Sequence, residues 1–216
     1  MVVTRSDAIA WVMYCHGNSV SLSDLYSSGI PQQIVEHCQC NFVAPQYPVQ
    51  THNGQQHDDE VCTAVQNTYE KLCQDTSSPV YVVGRSIGAG VALQSCVQNP
   101  PAGLVLISGF SSLKEMAPWG LQWAMPSRFD NSNIVARLKG VPKLIIHGDS
   151  DMVVPVQNAH VLEKSCDKEC CKYVIKGMTH VPSQRNITQI CDYMRKLIHT
   201  GNNAVTPHHY SLWKTQ

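Results

Sequence analysis

The chain has 216 residues, 16 Lys plus Arg balanced by 16 Asp plus Glu, and only 15% of it is charged, against about 25% in a typical soluble domain. A formal net charge of zero removes any broad electrostatic basis for binding nucleic acid or an anionic membrane, so no nucleic-acid partner is expected. With 43% hydrophobic residues the composition excludes global disorder, and no apolar run approaches the about 18 residues that would span a bilayer.

Short apolar runs rich in Val, Ile and aromatics alternate with longer segments of helical period, which predicts β-α-β units and a mostly parallel sheet. In chain order the expected elements are a strand over Ala8–Cys15, a helix over Ser23–Cys38, a strand over Asn41–Ala44 and a helix over Asp58–Asp75. A strand over Val80–Val83, a helix over Ser86–Gln98 and a strand over Gly103–Ser108 follow. The last are strand Lys143–His147, helix Pro155–Cys166, strand Lys172–Ile175 and helix Ser183–His199, giving about six strands. Val61, Val65, Tyr69 and Leu72 mark one helix face, to be laid on the sheet.

One stretch, 111–140, breaks the alternation. It carries Met116, Trp119, Leu121, Trp123 and Met125 with Pro118 and Pro126, a turn-broken apolar composition that suits a short lid over an apolar cavity. Met116, Trp119 and Trp123 are the candidate substrate-binding residues. The expected organisation is a single domain over 1–199 and a polar tail over 200–216.

Ten cysteines stand out. Residues 1–10 show no basic segment followed by a long apolar one, so a cytoplasmic setting with reduced thiols is expected. Cys15, Cys62, Cys96 and Cys191 fall in apolar stretches, where the thiol acts as a small buried hydrophobe. Cys38-x-Cys40 and Cys166-x3-Cys170-Cys171 lack the paired C-x2-C spacing of structural zinc sites, so no metal or other cofactor is expected.

The segment Gly84-Arg85-Ser86-Ile87-Gly88 carries the strongest chemical signal, a G-x-S-x-G pentapeptide between a β-branched strand and a helical segment. A serine on so tight a strand-to-helix turn takes a strained backbone that pushes its hydroxyl out above the sheet, and the flanking glycines remove Cβ atoms where strand and helix close up. A phosphate-binding turn would need G-x-G-x-x-G or a P-loop lysine, and neither is present. Serine needs a base, and the base an orienting acid. Strand Lys143–His147 runs into Gly148-Asp149-Ser150-Asp151, and strand Lys172–Ile175 into Gly177-Met178-Thr179-His180; both loops lie where parallel sheets build their sites. His180 is therefore the candidate base, and spacing alone does not separate Asp149 from Asp151 as its acid.

Together with His16-Gly17-Asn18 after the first strand, these segments resemble the α/β-hydrolase superfamily, and within it the serine-hydrolase subgroup that includes the α/β-hydrolase-domain protein depalmitoylases. The resemblance runs over roughly Ala8 to His199 and implies a flanked, mostly parallel sheet. It places the acid at the fifth position of H-G-x-x-D, which is Asp151, and the oxyanion-hole donors at the backbone N–H groups of Ile87 and Asn18. The implied activity is cleavage of acyl esters or thioesters, on a small-molecule or acyl-protein substrate, with no membrane span and only peripheral lipid contact.

Three departures qualify the resemblance. Family members carry further N-terminal strands, so the sheet is expected to be reduced at that edge. Pro45-Gln46-Tyr47-Pro48-Val49-Gln50 keeps a tyrosine but not the Asp and Gly residues of the family's turn, and no N-terminal cysteine cluster precedes Ala8. Two rival readings stay open. One is a serine aminopeptidase-like enzyme, disfavoured because only Glu115 and Asp130 are acidic in 111–140; the other is a catalytically idle binding module on the same fold.

Overall fold

The computed structural model describes residues 1–18, 20–48, 55–116 and 128–202. Strands β1 (Val2–Val3), β2 (Ala10–Cys15), β3 (Cys40–Val43), β4 (Val80–Arg85), β5 (Gly103–Ile107), β6 (Lys143–Gly148) and β7 (Cys170–Ile175) form one sheet in the order β1-β3-β2-β4-β5-β6-β7. All pairings are parallel except β1 with β3. The helices are α1 (Leu22–Ser27), α2 (Ile30–Cys38), α3 (Gln55–Asp75), α4 (Ile87–Cys96), α5 (Leu113–Met116), α6 (Asn131–Arg137), α7 (Gln157–Ser165) and α8 (Gln184–Asn202).

The central strands read as unbroken apolar runs because both faces are covered. Met13, Val82, Leu104, Leu106 and Ile145 point into a core with Val61, Val65 and Tyr69 of α3 and Leu162 of α7. The alternate residues Val12, Tyr14, Tyr81, Val83, Val105 and Ile146 meet Ile34 and Val35 of α2 and Ile190, Met194 and Leu197 of α8. Period-two alternation thus sorts each strand between two helical layers.

Three findings differ from the expected elements. The sheet has seven strands, since the N-terminal edge expected to be reduced gains β1: Met1 donates its ammonium to Ala44 O at 2.9 Å and accepts the Ala44 N–H at 2.9 Å. The helix expected over Ser23–Cys38 is two helices, because Gly29 adopts φ 73° and Pro31 starts a new helix, where its missing N–H costs nothing. Ser21 caps α1, accepting the Asp24 N–H while Asp24 accepts from the Ser21 N–H. Finally, α8 runs through Asn202, past the expected boundary at 199; residues 203–216 lie outside the described residues.

Chain order reverses between β2 and β4: β2 leads outward to β3, and β3 returns across it to β4. A sheet of this kind opens a crevice at the carboxyl ends of the two strands flanking the reversal.

Candidate active site

Ser86 follows β4 at that crevice with φ 56° and ψ −126°, a conformation that side-chain-bearing residues rarely adopt. The strain is held from several sides. The Ser86 N–H donates to Ile107 O at 3.0 Å, and Ser86 O accepts the Ala89 N–H at 2.9 Å. A Cβ on Gly84 would lie 2.4 Å from Gly88 O, and one on Gly88 would lie 2.2 Å from Cys15 O, so only glycines allow β4, α4 and β2 to approach this closely.

His180 lies in the loop after β7. Its Nε2 is 3.0 Å from Ser86 Oγ, and its Nδ1 is 2.9 Å from Asp151 Oδ2. The carboxylate accepts the Nδ1–H hydrogen bond, which leaves Nε2 to accept from the serine hydroxyl; that tautomer follows from the hydrogen-bond network. The Asp151 carboxylate is buried, and its Oδ1 also accepts the N–H groups of Val153 and Val154, each at 2.9 Å. Burial pushes its pKa up, but the Val154 N–H, the His180 ring and the Val153 N–H outweigh that and hold it below the ordinary value. Beneath it, fully buried His147 donates from Nε2 to Val154 O at 2.8 Å. Burial lowers the His147 pKa, so the ring is held neutral.

The other aspartate has a different task. Asp149 Oδ1 accepts the Gly177 N–H at 2.7 Å, and the Ser150 N–H donates to Met178 O at 3.2 Å, so the Asp151 loop grips the His180 loop. Met178 is buried in the core and anchors that loop from below. A Cβ on Gly148 would lie 1.9 Å from Met178 O, which leaves glycine as the residue that lets the two loops meet.

Gly17, after β2, lies against the serine: a Cβ there would sit 3.6 Å from Ser86 Cβ. Asn18 follows it at the surface, and Ile87 begins α4, where backbone N–H groups have no partner within the helix. Tyr47 buttresses this loop. Its ring stacks on His16 with centroids 3.9 Å apart, and its hydroxyl donates to His16 O at 3.0 Å. Burial raises the Tyr47 pKa, so it stays a neutral donor.

Met116 ends α5, and its Sδ accepts from Asn158 Nδ2 at 3.6 Å. Trp119 and Trp123 lie outside the described residues. Within 111–140, α6 buries Ile134 and Val135 in the core on the α4 side. Among the described residues no group of three or more His, Cys, Asp and Glu is placed to hold a metal ion, and no helix is long and apolar enough to cross a membrane. None of the ten cysteines forms a disulfide.

Residue reading alone missed the grip of Asp149, the support from Tyr47 and His147, and a contact of Arg85 with the His180 loop. The available signal was position: each lies within two residues of a glycine or of a reactive side chain at a strand's carboxyl end, except Tyr47, which stood out only as the tyrosine kept in an altered turn.

A mostly parallel sheet covered by helices on both faces, with the reversal of strand order at the site, defines an α/β-hydrolase fold. Residues 43–198 match the family model described as phospholipase/carboxylesterase, and the chain belongs to that family of ester hydrolases. Over 102 residues it is 36% identical to the uncharacterized protein Rv2307c of Mycobacterium tuberculosis, a match covering 45% of this chain and 36% of that protein; the chain thus spans about a third of the length of the curated relatives it matches. Among solved structures, Est1E from Butyrivibrio proteoclasticus superposes with a TM-score of 0.73 at 14% identity, over 92% of this chain and 90% of that one. An esterase/lipase from an uncultured bacterium does so with a TM-score of 0.73 at 18% identity, over 94% and 81%. At such identities these neighbours speak for the fold.

Proposed function

We propose that the chain hydrolyses acyl esters and thioesters with Ser86 as nucleophile, His180 as general base and Asp151 as its orienting acid. The observation that carries this reading is the bridging imidazole, 3.0 Å from the strained serine and 2.9 Å from the buried carboxylate. Ser86 Oγ attacks the acyl carbonyl carbon while its proton passes to His180 Nε2, and Asp151 stabilises the imidazolium. The N–H groups of Ile87 and Asn18 receive the tetrahedral oxyanion. Collapse returns the proton to the departing alkoxide or thiolate and leaves acyl-Ser86. Water then gives a proton to His180 as it attacks the acyl carbon, and His180 returns that proton to Ser86 Oγ as the acyl–Oγ bond breaks and the carboxylic acid leaves.

An apolar acyl group suits the surroundings. Met152 and Val153 follow Asp151 and are 92% and 59% exposed, and Val181 follows His180 and is 71% exposed, so exposed apolar side chains adjoin the acid and the base in the chain. We assign residues 1–199 to one hydrolase domain, because elements from β2 to α8 share the two cores.

The test is labelling by a fluorophosphonate together with turnover of p-nitrophenyl esters and thioesters of increasing chain length. Ser86→Ala is expected to abolish labelling and to lower kcat by a factor of about 10⁶; a Ser86→Ala protein with undiminished turnover would overturn the reading. Labelling separates the enzyme from an idle binding module. Turnover of aminoacyl anilides in preference to the esters would instead favour a peptidase.

A further inference from the structure

Arg85 occupies the variable position of the G-x-S-x-G segment and is the last residue of β4. Residues 81 and 83 of that strand face the α2 and α8 layer, and period two puts 85 on the same side. Its side chain lines an apolar cavity there with Tyr14, Ile34, Ile107, Pro182 and Ile190. Nη2 donates to His180 O at 2.9 Å. Nε is buried without a hydrogen-bond partner, and among the described residues no carboxylate pairs with the guanidinium.

A partly buried cation without a counter-ion is unfavourable and persists where it does something an apolar residue could not. Here its ordered hydrogen bond reaches one backbone oxygen, that of His180. The Asp149 grip on Gly177 and the Ser150 contact with Met178 hold the loop upstream of the histidine. Arg85 holds it at the histidine itself, from the residue adjacent to Ser86 in the chain.

Resting on the nucleophile and base assignments above, we propose that Arg85 is a positioning residue: its guanidinium fixes the His180 carbonyl so that the imidazole stays within reach of Ser86 Oγ. One side chain thereby ties the base to the strand that carries the nucleophile. Because Arg85 approaches from the backbone side of the loop, its loss lowers the fraction of correctly placed imidazole and leaves substrate binding unchanged.

The experiment compares Arg85→Gln and Arg85→Lys with the unaltered chain. Expected for Arg85→Gln are a kcat on a p-nitrophenyl ester lowered 10- to 100-fold, a KM within twofold, and faster amide hydrogen exchange in 177–182 with β4 and β5 unaffected. Arg85→Lys, which keeps a donor, is expected to fall between the two in kcat. A kcat within twofold of the unaltered protein, a loss expressed in KM, or a Lys variant no better than the Gln variant overturns the proposal. Should Arg85→Gln not fold, Arg85→Lys is read by the same split between kcat and KM and the same exchange. The exchange measurement is repeated in a Ser86→Ala background, which separates the two readings. If Ser86 is not the nucleophile, Ser86→Ala stays active while the exchange difference persists; if Arg85 does not position the loop, exchange is unchanged while Ser86→Ala is inert.

Discussion

A φ of 56° at Ser86 stores strain on the order of 1 kcal/mol or more, and the proposed nucleophile role gives a reason to keep it. Glycine adopts such a backbone freely. Ser86→Gly is therefore expected to raise the urea midpoint, by a stabilisation of about 1 kcal/mol, while removing turnover; a midpoint unchanged or lowered would show that the turn is not strained. The two neighbouring aspartates should divide by function. Asp151→Asn, which disturbs the imidazole tautomer, is expected to lower kcat by about 10⁴, whereas Asp149→Ala loosens a loop and should cost no more than about tenfold. Acid sensitivity follows from burial. The His147 pKa is depressed in the fold, so below its ordinary value of about 6.5 the unfolded chain takes up protons that the fold refuses. Stability should decline from about pH 6.5 downward, and His147→Gln should flatten that slope in urea titrations between pH 7 and 5. Asp151 is lowered too, here in favour of its charged form, so it adds stability above its ordinary value of about 3.9 and loses it as pH falls through the lower folded value. Chain spacing left Asp149 and Asp151 equivalent; the turn donors at Val153 and Val154 and the Gly177 N–H distinguish them.

Elements were legible where periodicity was strong. Strands β2, β4, β5 and β6 show up as apolar runs because they are buried on both faces, and α3 because Val61, Val65 and Tyr69 recur at helical spacing. Two-residue β1 has no period to read, and its pairing depends on β3 being present beside it. The break between α1 and α2 was written in Gly29 and Pro31, inside a segment expected as one helix. Close approach between elements is the other property that a one-dimensional pattern hides. Gly88→Ala places a methyl against backbone oxygens of Cys15 and His16 that cannot give way, and is expected to cost about 3 kcal/mol or more. Gly140→Ala has open space around it and only a φ of 74° to tolerate, so about 1 kcal/mol is expected. Urea midpoints of the two variants would check the ranking, and an equal cost would refute the packing argument.

At the scale of the whole molecule the ten cysteines are packing residues spread over both cores and the β7 edge. Cys15 and Cys96 lie on the α3 side, and Cys38, Cys40 and Cys191 on the α8 side. Burial pushes the Cys62 and Cys96 thiols up to about 12. Cys166 differs: a hydrogen bond from Cys170 lowers its pKa against the effect of burial, with help from the Lys143 charge. Limited iodoacetamide treatment near pH 8 is expected to alkylate Cys166 before Cys62 or Cys96, because the thiolate is the reacting species; peptide mapping that finds Cys62 or Cys96 first would contradict this. Composition, the alternation of apolar periods and the G-x-S-x-G turn sufficed by themselves for the α/β class, most strands and helices, the serine, the histidine and a choice between two aspartates. Tertiary structure alone decided the seventh strand, the partner of each aspartate and the reach of Arg85 to His180. Those features arise from backbone groups far apart in the chain meeting at fixed distances, and local sequence pattern carries information about periodicity and turn chemistry but not about which distant donor an acceptor will find.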